Sequence, residues 1–259
     1  MSDAEANERE LEILLKARCP LICAVSVEEE RVERLLLRLA DRLGLRLTFW
    51  SATQGFTDRQ GEGLPGAPTA REPQDALRLL LERGAGEAEV YVLRDLLAWQ
   101  ADPRLQRQLR DLAREFRGAN KTALLIEPEP DLPPGLRDAC DLLHFALPTQ
   151  KGIRRFLNRF LRNMELSFEE DELGKAAAAL VGLSELQCES LVARSLVRSR
   201  DLDEAFFLAE RHKLLSAGDP VEVAAKAAQA DPRLAAALRR LSEDPASLER
   251  LRSALDATG

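Results

Sequence analysis

The sequence predicts an α/β fold in which a five-stranded parallel sheet is sandwiched by helices and followed by an all-helical region. Three observations carry this. Five short apolar runs, at 21–27 (LICAVSV), 45–53 (LRLTFWSAT), Glu89–Arg94, Lys121–Glu127 and 142–147 (LLHFAL), have the length and composition of buried strands. Stretches with apolar residues at helical spacing alternate with them, which argues for right-handed crossovers and a sheet covered on both faces. After Thr149 the strand signal disappears and only helical patterns remain.

Each element has a local reason. Residues 4–17 carry Leu11, Ile13, Leu14 and Leu15 among charges, a lead-in helix that Pro20 stops. After the first strand, Val32, Leu35, Leu36, Leu39 and Leu43 recur at i, i+3, i+4, i+7 and i+11, the stripe of a core-facing helix closed by Gly44. Residues 54–75 hold Gly55, Gly61, Gly63, Pro65, Gly66, Pro68 and Pro73 with almost no large apolar residue, and predict a mobile surface loop. A helix over 73–83 follows. Asp102 and Pro103 supply N-cap and N1 chemistry for another, with Leu105, Leu109, Leu112 and Phe116 as its buried face. A proline-rich crossing, 128–134, leads to the fifth strand. The helical region divides into 150–165, 169–181, 184–199 and 201–216, then three short helices opening at Asp219-Pro220, Asp231-Pro232 and Asp244-Pro245.

Composition narrows function. The chain has 259 residues, 45% hydrophobic and 31% charged, with a net charge of −7, and its pI is near 5.2. That balance argues against a sequence-independent nucleic-acid binder, which needs a basic footprint. No apolar run approaches the roughly 18–20 residues of a membrane span, and the acidic start MSDAEANERELE lacks the features of a signal peptide. The expected location is the cytoplasm. Cys19, Cys23, Cys140 and Cys188 have no CxxC spacing and read as reduced thiols, with no metal site. His144 and His212, far apart and without a paired acid, assemble no nucleophilic triad.

The junction between the first strand and its helix is where α/β nucleotide-binding domains keep a phosphate loop, and here it reads Ser26, Val27, Glu28, Glu29, Glu30. A phosphate cradle needs glycines whose successive N–H groups close on the anion, then a lysine and a hydroxyl. Three carboxylates stand there instead. Helix polarity stabilises each by roughly 0.3–1 kcal/mol, and together they would repel a triphosphate. No G-x-x-x-x-G-K-[ST] occurs anywhere in the chain. Gly118 to Thr122 (GANKT) precedes its strand rather than following one, so it reads as a plain turn.

Several stretches resemble an AAA+ module, a P-loop-NTPase-like sheet with a helical lid. VYVLRD, ending at Asp95, resembles a degenerate Walker B strand, KTALLIEP a sensor-1 strand, and HFALPTQKGIRRFLNRFL with GLSELQCESLVARSL the crossing into the lid. ELEILLKARCPLICAVSVEEERV, LTFWSATQGF and LDEAFFLAERHKLLSAG are similar to the N-terminal half of the chloroplast-frame (Ycf-type) AAA+ ATPases of cyanobacteria and algae. The resemblance implies an AAA-like α/β domain over 1–148, a helical lid over 149–218 and a helical C-terminal extension over 219–259. It also implies a non-catalytic module that would precede a catalytic one; where the latter would begin, after Gly218, this chain continues only as short helices.

Site expectations follow from that resemblance. Asp95 stands where a metal-holding Walker B carboxylate would be, although Arg94 replaces an apolar neighbour. Arg137 falls near the position of an arginine finger acting in trans, with pairing to Asp138 or Asp141 as the plain alternative. Phe56 occupies the place of an aromatic pore-loop residue, or anchors a turn. In the helix after Thr149, Ile153, Phe156, Leu157, Phe160, Leu161 and Met164 form a core stripe, and Lys151, Arg154, Arg155, Arg159 and Arg162 form a basic face for a partner or for solvent. The expected function is a catalytically inactive, partner-binding or regulatory AAA-like subunit without cofactor, its partner a catalytic AAA+ ATPase or a second copy. The alternatives are an ATPase with an unconventional site and a clamp-loader-like DNA-handling subunit.

Overall fold

Strict alternation along the strands builds two hydrophobic cores, one on each face of the sheet. The computed structural model describes residues 3–63, 70–82, 88–129 and 132–216. In chain order these form α1 (Asp3–Lys16), β1 (Leu21–Val25), α2 (Glu29–Leu43), β2 (Arg46–Ser51), β3 (Gly55–Thr57), α3 (Pro73–Glu82), β4 (Glu89–Arg94), a 3-10 turn (Leu96–Trp99), α4 (Pro103–Phe116), β5 (Lys121–Glu127), a second 3-10 turn (Pro134–Leu136) and β6 (Asp141–His144). The helices α5 (Gln150–Asn163), α6 (Glu170–Ala179), α7 (Glu185–Ser199) and α8 (Glu204–Ser216) follow. The chain divides into two compact units between Phe145 and Ala146.

In the first unit the strand order is β3-β2-β4-β5-β1-β6. Every pairing is parallel except β2 with β3. Ile22 and Ala24 of β1, Val90 and Val92 of β4, and Leu124 and Ile126 of β5 face one way and pack with Leu11 and Leu15 of α1 and with Val32, Leu36 and Leu39 of α2. Leu21 and Cys23, Tyr91 and Leu93, and Ala123 and Leu125 face the other way, onto α3 and α4. The β1-to-β2 and β4-to-β5 crossovers run in opposite directions along the sheet, so a right-handed connection in each places α2 and α4 on opposite faces.

The local signals operate as read. Gly44 closes α2 at φ 65, its N–H donating to the Ala40 carbonyl, a conformation that costs glycine nothing sterically. The Asp102 side chain accepts from the Arg104 N–H at 2.8 Å, with Pro103 opening α4. Gly118 to Asn120 is a turn ahead of β5; Lys121 is buried there, 5.9 Å from the Tyr91 ring centre and 5.8 Å from that of Phe116.

Two expectations about the sheet are corrected. The sheet has six strands, and the sixth comes from the stretch expected to be a mobile loop. Residues 55–57 pair antiparallel with β2, Trp50 opposite Phe56, and Thr57 bridges to Gly63. Trp50 Nε1 also donates to the Ala70 carbonyl at 2.6 Å, which ties the far end of the segment to the sheet. Backbone pairing and one tryptophan hydrogen bond do what apolar side chains do elsewhere, and composition does not reveal them. The first strand also stops at Val25, leaving Val27 exposed.

The second unit has its own core. α5 packs on α6 and α7, and α8 on both of those, around Ile153, Phe156, Leu157, Leu161, Leu173, Leu191, Val192 and Phe207. Capping boxes at Glu169–Glu172 and Ser184–Gln187 start α6 and α7. Met164, expected in the α5 core stripe, is exposed because the helix has ended at Asn163. The three helices expected from Asp219 onward lie outside the described residues.

Candidate functional site at the carboxyl edge of the sheet

In an open parallel sheet a ligand crevice forms outside the carboxyl ends of adjacent strands whose onward connections leave on opposite faces. Here those strands are β1, followed by α2 on one face, and β5, followed by a crossing whose Leu132, Leu136 and Cys140 pack on the other. The residues at that edge are Ser26, Glu28, Glu29, Glu30, Arg94, Asp95 and Glu127.

The connection from β1 to α2 comprises three residues, 26–28. The Ser26 N–H donates to the Glu127 carbonyl at 2.8 Å, which extends the strand register by one step. The Ser26 hydroxyl accepts from the Glu28 N–H at 3.0 Å and folds the connection into a tight turn. The eight-residue G-x-x-x-x-G-K-[ST] cradle that wraps a diphosphate has no counterpart in a link of this length. Glu28 sits at the N-cap position, buried, and its side chain does not cap the helix.

The carboxylates at this junction are matched by arginines. Glu28 lies 2.8 Å from Arg31, and Glu30 lies 3.6 Å from Arg34. Glu29 and Glu33, one turn apart, both meet Arg94 Nε, at 3.0 and 2.6 Å. Arg94 shares the face of Val90 and Val92 by strand alternation, which aims it at α2, and its guanidinium lies 5.2 Å from the Phe49 ring centre. Burial pushes the Glu29 carboxyl up from its ordinary value, with Arg94 opposing and Glu33 reinforcing the rise. Glu28 and Glu29 are therefore held in ion pairs at the junction, while Glu30 stays exposed beside Arg34.

Glu127, which sequence reasoning passed over inside an apolar strand, is the most perturbed acid at the edge. It ends β5 almost fully buried. One carboxylate oxygen accepts from the Leu97 N–H at 2.9 Å, tethering the 3-10 turn to β5. Burial pushes its carboxyl up to about 7; the Leu97 and Leu96 N–H groups oppose the rise, and the Asp95 charge adds to it. The signal available in sequence was a carboxylate closing a run of five apolar or hydroxyl residues.

Asp95 is exposed, in the left-handed region at φ 52, its N–H donating to the Ile126 carbonyl. No group of three or more His, Cys, Asp or Glu among the described residues is placed to hold a metal. Arg137 lies on the surface beyond the second 3-10 turn, where its Nε donates to the Leu132 carbonyl at 3.2 Å, rather than to Asp138 or Asp141. Phe56 is corrected as a partner-facing residue: it is 6% exposed, because β3 turns it into the core beside Trp50.

In the second unit, Lys151, Arg154, Arg155, Arg159 and Arg162 are all exposed along α5. Arg154 lies 3.7 Å from Glu170 and Arg159 lies 3.2 Å from Glu185. The pairs 151–154, 151–155, 155–159 and 159–162 have the i, i+3 or i, i+4 spacing at which like charges cost a helix roughly 0.2–0.5 kcal/mol each. Lys151 and Arg154, in the opening turns, also oppose the helix dipole.

Comparisons place this geometry among known proteins. RuvB, the Holliday junction branch migration motor of Thermotoga maritima, superposes with a TM-score of 0.54 at 13% identity, over 82% of this chain and 69% of that one. Domain III of the replication initiation protein DnaA from Thermotoga maritima gives 0.52 at 11% identity, over 80% and 90%. At such identities the likeness establishes the α/β fold alone. The uncharacterized AAA domain-containing protein ycf46 of Trieres chinensis is 25% identical over 82% of this chain and 43% of its own length. Its counterpart in Guillardia theta is 26% identical over 75% and 38%. The chain thus spans less than half the length of these relatives. Residues 7–145, more than half of the 259, match the model of the SpoVK-like AAA ATPase N-terminal domain, and the chain belongs to that family.

Proposed function

We propose that this chain is a non-hydrolysing AAA-like module that serves as a partner-binding or regulatory subunit. The observation that carries the reading is the three-residue link between β1 and α2, with its carboxylates paired to arginines where a nucleotide-binding fold places a glycine cradle and a lysine. The Ser26 and Glu28 N–H groups of the link are taken up by the Glu127 carbonyl and the Ser26 hydroxyl, and no lysine stands at 26–30 to supply the point cation that polyphosphate recognition uses. The helical unit, with its basic α5 face, is the surface assigned to a protein partner, either a catalytic AAA+ ATPase or a second copy of the chain.

The test is the melting temperature of the full chain with and without Mg-ATP in millimolar excess. Both tryptophans, Trp50 and Trp99, lie in the first unit, so tryptophan emission reports on the unit in question. A ligand at 100 times its Kd adds about 2.7 kcal/mol to the folded state, a rise of several degrees for a domain of this size. The expected result is no shift. A Mg-dependent rise would overturn the closed-site reading and direct attention to an unconventional nucleotide site.

A further inference from the structure

We propose that the exposed face of α5 is a docking site for an acidic helical segment of a partner protein. This deepens the partner-binding half of the function proposed above, and it is independent of whether the sheet edge at β1 takes nucleotide.

The charge on α5 runs against the rest of the molecule. The chain carries a net charge of −7, whereas the helix QKGIRRFLNRFLRN contains five cations and no acid. The like-charge pairs and the cations in the opening turns make the arrangement unfavourable for the isolated helix, and apolar packing of Ile153, Phe156, Leu157 and Leu161 holds it together. Glu170 and Glu185 already offset part of this repulsion at Arg154 and Arg159, and an anionic partner facing Arg155 and Arg162 offsets more of it. The molecule already contains the mode of contact: Glu185 and Glu170 approach Arg159 and Arg154 from neighbouring helices, and Arg159 lies 5.6 Å from the Phe156 ring centre.

The features select among anions. Four of the five cations are arginines, whose planar forks match carboxylates two bonds at a time. Arg155 and Arg162 stand two turns apart on one side of the helix, about 10 Å along its axis, which is the spacing of two carboxylates at i and i+7 on a partner helix. The apolar face of α5 is committed to the core of the second unit, so the helix has no free apolar face to sink into a lipid surface. The acidic remainder of the chain repels a long polyanion such as duplex DNA, whereas a short acidic helix presents its charge only at the site.

The experiment uses the full chain and two fluorescein-labelled alanine-based helical peptides, one with glutamates repeating at i, i+4 and i+7 and one with glutamines in their place. Fluorescence anisotropy is read at low and at physiological salt. The glutamate peptide is expected to bind at least about tenfold more tightly than the glutamine peptide, with the difference shrinking as salt rises. Arg155→Glu with Arg162→Glu is expected to weaken that binding by about tenfold or more. Arg155→Gln with Arg162→Gln is expected to fall between, and both double variants to melt no lower than the parent. Equal affinity for the two peptides, or undiminished binding by either folded variant, overturns the proposal. So does tighter binding of a DNA duplex or of phosphatidylserine vesicles through the same arginines. Light scattering that shows a dimer in the parent and a monomer in the variants would assign the face to a second copy and overturn the separate-partner assignment. The Mg-ATP melt on the same samples separates failure here from failure of the closed-site reading, because both substituted residues belong to the second unit.

Discussion

Replacing Glu127 with Gln tests whether the carboxyl edge of the sheet is built around a buried acid. The folded carboxyl titrates at about 7 against an ordinary value of 4.5, chiefly because burial disfavours its charge. A carboxyl raised on folding contributes stability that is complete below the unfolded value and is lost as pH rises through the folded one. The first unit should therefore lose stability between pH 4.5 and 7, by about 3 kcal/mol if the whole interval is expressed. Glu127→Gln keeps an oxygen for the Leu97 N–H and removes the titration. It should match the parent near pH 4, below the ordinary carboxylate value, and exceed it by up to about 3 kcal/mol at pH 8. Urea unfolding followed by tryptophan emission at intervals from pH 4 to pH 8 measures this, since both tryptophans lie in the first unit. The raised thiols titrate well above the window: Cys19 and Cys23 are pushed up to about 11 and 12, and Cys140 rises also. Parallel pH curves for parent and variant would refute the reasoning, and so would a variant less stable at every pH.

Two further substitutions address the fold around the site. Trp50→Phe removes the hydrogen bond to the Ala70 carbonyl and should cost about 1–3 kcal/mol; limited proteolysis should then cut within 58–72 more readily than in the parent, and an unchanged cleavage pattern would show that the bond does not anchor this segment. Arg94→Ala leaves Glu29 and Glu33 facing each other without their cation. A loss of about 1–3 kcal/mol is expected at neutral pH. The loss should shrink toward pH 4 as Glu29, whose carboxyl is raised by burial, protonates, and a deficit independent of pH would mean that the contact of Arg94 with the Phe49 ring, rather than its pairing with the carboxylates, matters.

The elements legible in the chain were those specified by neighbours in sequence. The α2 stripe from Val32 to Leu39, Gly44 as its left-handed stop and Asp102-Pro103 as a helix start were readable because each acts within a turn or two. The edge strand β3 was not, because Gly55-Phe56-Thr57 becomes a strand only when β2 lies beside it, and no run of three residues announces that. The same distinction holds at the site. The absence of a phosphate cradle was plain in Ser26 to Glu30, but the partners of those carboxylates were not, since Arg94 lies some sixty residues away and reaches Glu29 and Glu33 only once β4 is placed by the sheet.

By itself, then, the sequence determined the alternation of strand and helix, the stop of α2 at Gly44 and the start of α4 at Asp102-Pro103, the absence of a glycine cradle and the basic face of α5, all of them properties of residues close along the chain. The tertiary structure decided the strand order that sets β1 beside β5, the burial that raises Glu127, the inward turn of Phe56 and the pairing of Arg94 with α2. Those depend on which distant segments meet, and the balance of burial, hydrogen bonding and charge acting on a side chain exists only after they have met.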